Sequence, residues 1–272
     1  MRLFVFGMGY TATRLADRLR GVGWHVAGTG RGGTIAFEDT TAVAHALATS
    51  THVLCSVPPC DGIDAVLARY GDIVGRCWTG YLSSTGVYGD AGGAWVDEAT
   101  PLNGRRGGRN AADAAWLALG ARVFRLPGIY GPGRSALDRV VSGGAHRVDL
   151  PGQVFSRIHV DDIVSGIIAG FDGPPGAFNL ADDHPCDQNA VIEMAARLLG
   201  VEVPVVVDVE TLSPMARAFY AENRRVANGK AKRVLGWSPA YPDFVTGLRA
   251  LRAISSPIIA TSPPAAANSD QR

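Results

Sequence analysis

The chain has 272 residues, of which 47% are hydrophobic and 19% charged, with a formal net charge of +1. That length suits one large α/β domain, or one domain with a small appended lobe, and it can bury a core that needs no disulfide staples. The near-neutral balance predicts no attraction to nucleic acid, and no run of about 18 apolar residues is present to span a bilayer. The four cysteines, Cys55, Cys60, Cys77 and Cys186, have neither CxxC nor metal spacing, so no metal is expected and a reducing compartment is. The short apolar start leads into a glycine-rich turn, unlike a signal peptide, and a cytoplasmic location is the expectation.

Apolar runs alternate with amphipathic stretches along the chain, the pattern of repeated βαβ units. Strands are predicted over 3–6, 25–28, 52–56, 77–83, 122–126 and 177–180, with a further short strand over 34–37. Helices are predicted over 11–20, 41–48, 63–71, 110–119, 135–142, 161–171, 188–199, 230–235 and 242–253. Gly and Pro punctuate the joints, as in Gly131-Pro132-Gly133. The fold class expected is a Rossmann-type, doubly wound α/β sheet, mostly parallel, spanning 1–254. A small C-terminal substrate lobe is expected, built mainly from about 130–160 and 181–254. The Ser/Pro/Ala-rich tail over 255–272 reads as disordered.

The first strand runs into Gly7-Met8-Gly9-Tyr10-Thr11-Ala12, a GxGxxA turn between a strand and a helix. Such a turn predicts a nicotinamide dinucleotide. Gly7 permits the tight turn, Gly9 lets backbone approach a pyrophosphate, and Ala12 allows close helix–strand packing. The helix that opens at Tyr10 and Thr11 aims its N-terminus at the phosphates. The second strand ends in Gly28-Thr29-Gly30-Arg31, with no acid before Glu38. An acid would hold a ribose 2′-hydroxyl, whereas Arg31 can grip a 2′-phosphate and Thr29 can add a neutral bond. NADP is therefore preferred over NAD.

Five downstream segments resemble the extended short-chain dehydrogenase/reductase superfamily, in its NAD-dependent epimerase/dehydratase branch. They are Ser83-Ser84-Thr85-Gly86-Val87-Tyr88-Gly89, Arg125 to Gly133, Arg157-Ile158-His159-Val160-Asp161-Asp162, Phe178-Asn179-Leu180-Ala181, and Leu235-Gly236-Trp237. They fall in the family's order over about residues 1–250, and the short glycine turn resembles the atypical subgroup. The resemblance implies a cofactor bordered by Ser56, Val57, Pro58 and Ser83 and closed over by Pro127, Gly128 and Ile129. It implies a catalytic Ser84. Tyr88, Tyr130, Arg157 and His159 would face or support a small-molecule substrate.

The superfamily's Tyr-xxx-Lys pair has no counterpart between Pro101 and Asp113. If Asp113 takes the place of the acid that follows the Lys, Arg109 stands at the Lys position and Arg105 at the Tyr position. Arginine stays protonated and cannot act as a general acid–base near neutral pH. Arg109 can still hold a ribose hydroxyl, and Arg105 can read an anionic substrate or pair with Asp97 and Glu98. Tyr88, Tyr130 and His159 are the candidates for the missing proton carrier, and Arg224-Arg225 reads as surface. Two functions stay open. One is an oxidoreductase or epimerase-like enzyme moving hydride on a small polar hydroxyl or carbonyl compound, sugars among them. The other is a catalytically inactive nucleotide-binding sensor. A homodimer is as open as a monomer.

Overall fold

A computed structural model describes residues 1–255. The tail predicted to be disordered lies, beyond Ser255, outside the described residues. Six parallel strands form the central sheet: β1 (Arg2–Phe6), β2 (His25–Gly28), β3 (His52–Cys55), β4 (Trp78–Ser84), β5 (Arg122–Leu126) and β6 (Gly176–Asn179). Their spatial order is β6-β5-β4-β3-β1-β2. The chain reverses direction across the sheet between β1 and β3, and that crevice is where open α/β sheets place ligands.

Among the described residues, ten α-helices wrap this sheet and its lobe. The sheet is flanked by α1 (Tyr10–Arg20), α2 (Thr40–Ala48), α3 (Ala65–Tyr70), α4 (Gly107–Ala118) and α6 (Val160–Ala169). The lobe carries α5 (Ala136–Val141), α7 (Gln188–Leu199), α8 (Pro214–Tyr220) and α10 (Phe244–Ser255), while α9 (Gly229–Leu235) lies beside β6. No described helix is long and apolar enough to cross a membrane.

The period-2 alternation of β1 explains the layering. Leu3 and Val5 join Leu15, Leu19, Ile163 and Ile167 on the α1/α6 face. Phe4 and Phe6 point the other way, into Val43, Val66, Tyr70 and Trp116 from α2, α3 and α4. Each strand end is thus clamped between two apolar layers. In the lobe, Tyr130, Leu137, Val191, Ala195, Phe244 and Leu248 make a separate core. A two-residue parallel ladder, Arg147–Val148 with Val206–Val207, edges that lobe.

The expected strand over 34–37 does not form. Phe37 instead packs edge-on against Phe6 and Tyr70, and the Tyr70 hydroxyl donates to the Phe37 carbonyl. This aromatic anchor pulls the segment onto the α2/α3 face, away from the free edge of β2. Beside several two- and three-residue strands, two further elements escape the periodicity. One is α8, too short and too interrupted to show a helical stripe. The other is the 3-10 turn Thr85–Tyr88 that ends β4.

Candidate active site

The glycine turn is braced from both sides. Thr29 is buried, and its hydroxyl accepts from the Gly7 amide at 3.3 Å. The Ser56 hydroxyl donates to the Gly7 carbonyl at 2.5 Å. Gly7 has φ +86°, and a Cβ there would lie 2.9 Å from the Val57 side chain, so only glycine fits. Gly9 is the N-cap of α1 with no side-chain cap, and a Cβ on it would meet nothing closer than the Gly7 carbonyl oxygen at 4.0 Å. The first turn of α1 therefore faces an open cradle with unspent amides, which fits a pyrophosphate.

Thr29 is consequently a brace of the turn, not a reader of the ribose as the sequence suggested. Arg31 sits exposed on the loop that folds back over Met8, where Gly32 donates to the Met8 carbonyl. Ala12 is fully buried between α1 and the sheet. Tyr10 reaches across the cleft, donating its hydroxyl to the Pro132 carbonyl at 3.1 Å.

At the other end, β4 delivers Ser84 to the wall of a cavity of about 1090 Å³. Ser84 caps the 3-10 turn by accepting from the Gly86 amide at 3.1 Å, and its own proton is free for a ligand. Arg109 from α4, the loop Pro127, Gly128 and Ile129, and Tyr130 and Arg157 line the same cavity. The sequence-expected catalytic and nicotinamide-closing residues are thus brought together.

Behind them runs a buried polar chain. Asp113 on α4 is wholly buried and takes two bonds from Arg125, at 2.7 and 3.1 Å. It also accepts from the Ser83 hydroxyl at 2.6 Å, so Ser83 fixes α4 on β4 and does not touch the cofactor cleft with its side chain. Arg125 donates to the Tyr88 hydroxyl at 3.0 Å, and Tyr88 donates to Asn179 at 2.7 Å. Tyr88 is buried in this chain and absent from the cavity wall, which removes it as substrate contact and as proton carrier. Burial raises its pKa, against the opposing pull of Arg125.

His159 is also absent from the cavity wall. It is the N-cap of α6, its Nδ1 accepting from the Asp161 amide at 3.2 Å. Burial drives its pKa down to about 4, so the ring is neutral at pH 7. Tyr130 does line the cavity, but its hydroxyl packs on α10, where a Cβ on Gly247 would come within 2.0 Å of it. Burial pushes the phenol far above its ordinary range. Arg157 is buried, and its terminal nitrogens are spent on Phe155, Cys186, Asp187 and Gln188.

Arg105 pairs with neither Asp97 nor Glu98. Its guanidinium binds Glu222 at 2.8 Å and the Ala218 carbonyl at 3.1 Å, strapping the α4 side of the cavity to the lobe. Glu98 accepts from the Asn179 amide, and Asp97 folds a local turn with Thr100. Arg224 is a cavity residue, not surface: it donates to Glu222 at 2.6 Å and to the Gly89 carbonyl. Arg139, Phe155, Phe219 and Glu222 also line the cavity and were not expected from the sequence. The one sequence signal for them was Arg139 four residues after Ser135 in a predicted helix, placing it on the helix face of the Ser135 cap.

No protein-family model matches the chain. A conserved protein of unknown function from Silicibacter pomeroyi DSS is 42% identical, with a TM-score of 0.83 over 93% of this chain and 98% of that one. The dTDP-glucose 4,6-dehydratase of Bacillus anthracis, solved in complex with NAD, is 16% identical, with a TM-score of 0.75 over 93% of this chain and 96% of that one. A 3-diazoavenalumate denitrifying reductase from Streptomyces sp is 30% identical over 142 residues, 48% of this chain and 46% of that enzyme. The match thus spans about half the length of that curated relative. The chain belongs to one family with the conserved Silicibacter pomeroyi protein, on the fold of the extended, epimerase/dehydratase-like short-chain dehydrogenases/reductases.

Proposed function

We propose that this chain is an NADP-preferring oxidoreductase of the atypical short-chain dehydrogenase/reductase kind, acting on a small carbonyl or hydroxyl compound. The observation that carries the reading is Ser84 and Arg109 in one cavity with the loop Pro127 to Ile129, a cavity whose Arg134 lies over the Tyr10 ring at the start of α1. The 30% identical reductase supports a reductase chemistry over an epimerase one.

Gly7, Gly9 and the first turn of α1 would hold the pyrophosphate, Arg31 a 2′-phosphate, and Arg109 a ribose hydroxyl. The bound nicotinamide supplies or accepts the hydride. Ser84 donates its hydroxyl proton in a hydrogen bond to the substrate oxygen while its lone pair stays on the Gly86 amide. That fixes the hydroxyl direction without cost at the moment of reaction. Arg109 and Arg106 add positive charge where negative charge develops on that oxygen. Neither arginine can hand over a proton near neutral pH, so water entering the open cavity carries it. A substrate screen following NADPH absorbance tests this. Turnover that Ser84→Ala abolishes, with NADPH affinity retained, supports it; tight NADPH binding with no turnover across the panel sinks it.

The nucleotide-binding sensor remains the second reading. It is favoured by Arg105, which stands at the proton-passing Tyr position if Asp113 matches the family's acid, and which is committed to the Glu222 strap.

A further inference from the structure

The cavity wall is unevenly charged. Its acids are Asp138 and Glu222, and both are engaged: Asp138 in the capping box with Ser135, Glu222 by Arg105 and Arg224. Arg106, Arg109, Arg134 and Arg139 have no acidic partner among the described residues. Arg106 and Arg109 belong to the start of α4, which contacts the 3-10 turn capped by Ser84, and Arg134 lies over the Tyr10 ring. Arg139 is set apart, on α5 in the lobe.

The same cavity wall carries apolar and aromatic groups. The cavity wall contributed by α7 and α10 is Gln188, Val191, Phe244 and Leu248. Phe155 and Phe219 stack at 4.5 Å with an interplanar angle of 8°, and Tyr220 stands edge-on to both. Arg157 lies over the Phe155 ring at 5.9 Å. Two polar side chains of this wall each hold a bond within the protein. Ser156 accepts from the Val226 amide, and Gln188 accepts from Arg157. Arg139 is exposed on the cavity wall and meets no carboxylate among the described residues, so its guanidinium is available to an anion, and the half-exposed Phe219 stacked on Phe155 offers that anion's apolar body a flat contact.

We infer that the substrate is an amphipathic carboxylic acid with a flat, aryl or conjugated body, whose carboxylate is bound by Arg139 and whose body lies among Phe155, Phe219, Val191 and Leu248. The reducible group then extends toward Ser84. The inference rests on the cavity being the substrate side of the nicotinamide site. The volume suits it, since about 1090 Å³ exceeds what one ring of a nucleotide fills.

Calorimetric titration of the full chain, with and without saturating NADP, tests it using four probes: cinnamate, cinnamamide, acetate and UDP-glucose. Cinnamate is expected to bind on the order of tenfold or more tighter than cinnamamide and acetate, the worth of one charge-assisted bond or of the apolar body. Arg139→Gln should erase the preference for cinnamate over cinnamamide and leave NADP affinity unchanged. Phe219→Ala, at a half-exposed position that the fold tolerates, should weaken cinnamate and leave acetate unaltered. Equal binding of cinnamate and cinnamamide, tighter UDP-glucose, or no binding of any probe overturns the inference. Failure of NADP itself to bind would overturn the oxidoreductase reading instead, and the titrations without nucleotide still report on the acid site.

Discussion

The two ends of the cleft are held by different kinds of bond. Around Gly7 the turn is fixed through its backbone, by the Thr29 and Ser56 side chains just beyond the ends of β2 and β3. Around Ser84 the position of α4 depends on a relay of side chains, Ser83, Asp113, Arg125, Tyr88 and Asn179, drawn from four distant stretches of chain. The nucleotide end is fixed by side chains closing on backbone, and the chemical end by side chains pairing with one another. The first is robust to change elsewhere; the second can be re-set by a single substitution in the relay.

The largest effect should come from breaking that relay. Asp113→Ala leaves the buried Arg125 charge unpaired and should cost about 3–5 kcal/mol in urea-induced unfolding. A loss under 1 kcal/mol would mean that water or a neighbour compensates, and the contrast between the two ends would collapse. Next, Ser84→Ala should lower turnover by about 10²–10³, with NADPH affinity within threefold. Equal loss of affinity and turnover would place Ser84 in nucleotide binding and blur the division. At the nucleotide end, Arg31→Ala should weaken NADPH by about ten- to a hundredfold and leave NADH nearly unchanged, measured by fluorescence titration.

The smallest effect is a pH dependence. Burial raises the Asp182 carboxyl to about 8, against the opposing charge of Arg157. Its folded pKa lies above its unfolded value, so it stabilises the fold at low pH, and stability falls as pH rises toward 8. His159 acts in the opposite sense: its pKa is held near 4, and protonation of the unfolded chain weakens the fold as pH drops from about 6.5 to 4. The two oppose each other below about 6.5. Between about 6.5 and 8 only Asp182 acts, and stability should fall by no more than about 1.4 kcal/mol per pH unit. Denaturation curves at three pH values across that window check it, and Asp182→Asn should flatten them.

What could be read from the sequence follows the same division. The glycine turn announces itself because a tight turn and a close phosphate approach demand particular residues at fixed spacing, and Gly7, Gly9 and Ala12 fall within one six-residue stretch. Ser84 is legible for a like reason, at the end of an apolar strand. Tyr88 was misread because its motif does not say where the hydroxyl points; only the fold brings Arg125 and Asn179 to it. Arg105 was misread because its partner, Glu222, lies 117 residues away. Arg139 and Phe219 belong to short helices whose role emerges only when α5, α7, α8 and α10 meet. The missing strand over 34–37 shows the same limit, since its β-prone residues were claimed by the Tyr70 ring.

The braces on Gly7 also bear on the calorimetry of nucleotide binding. Because Thr29 and Ser56 fix the turn with the protein's own bonds, its conformational entropy is lost when the chain folds, not when the dinucleotide arrives. Association should therefore be fast and enthalpy-led, without the heat-capacity change of a loop ordering on its ligand. Ser56→Ala should shift that loss into the binding step, so that weaker affinity appears as a less favourable entropy with the contacts to the phosphates unchanged.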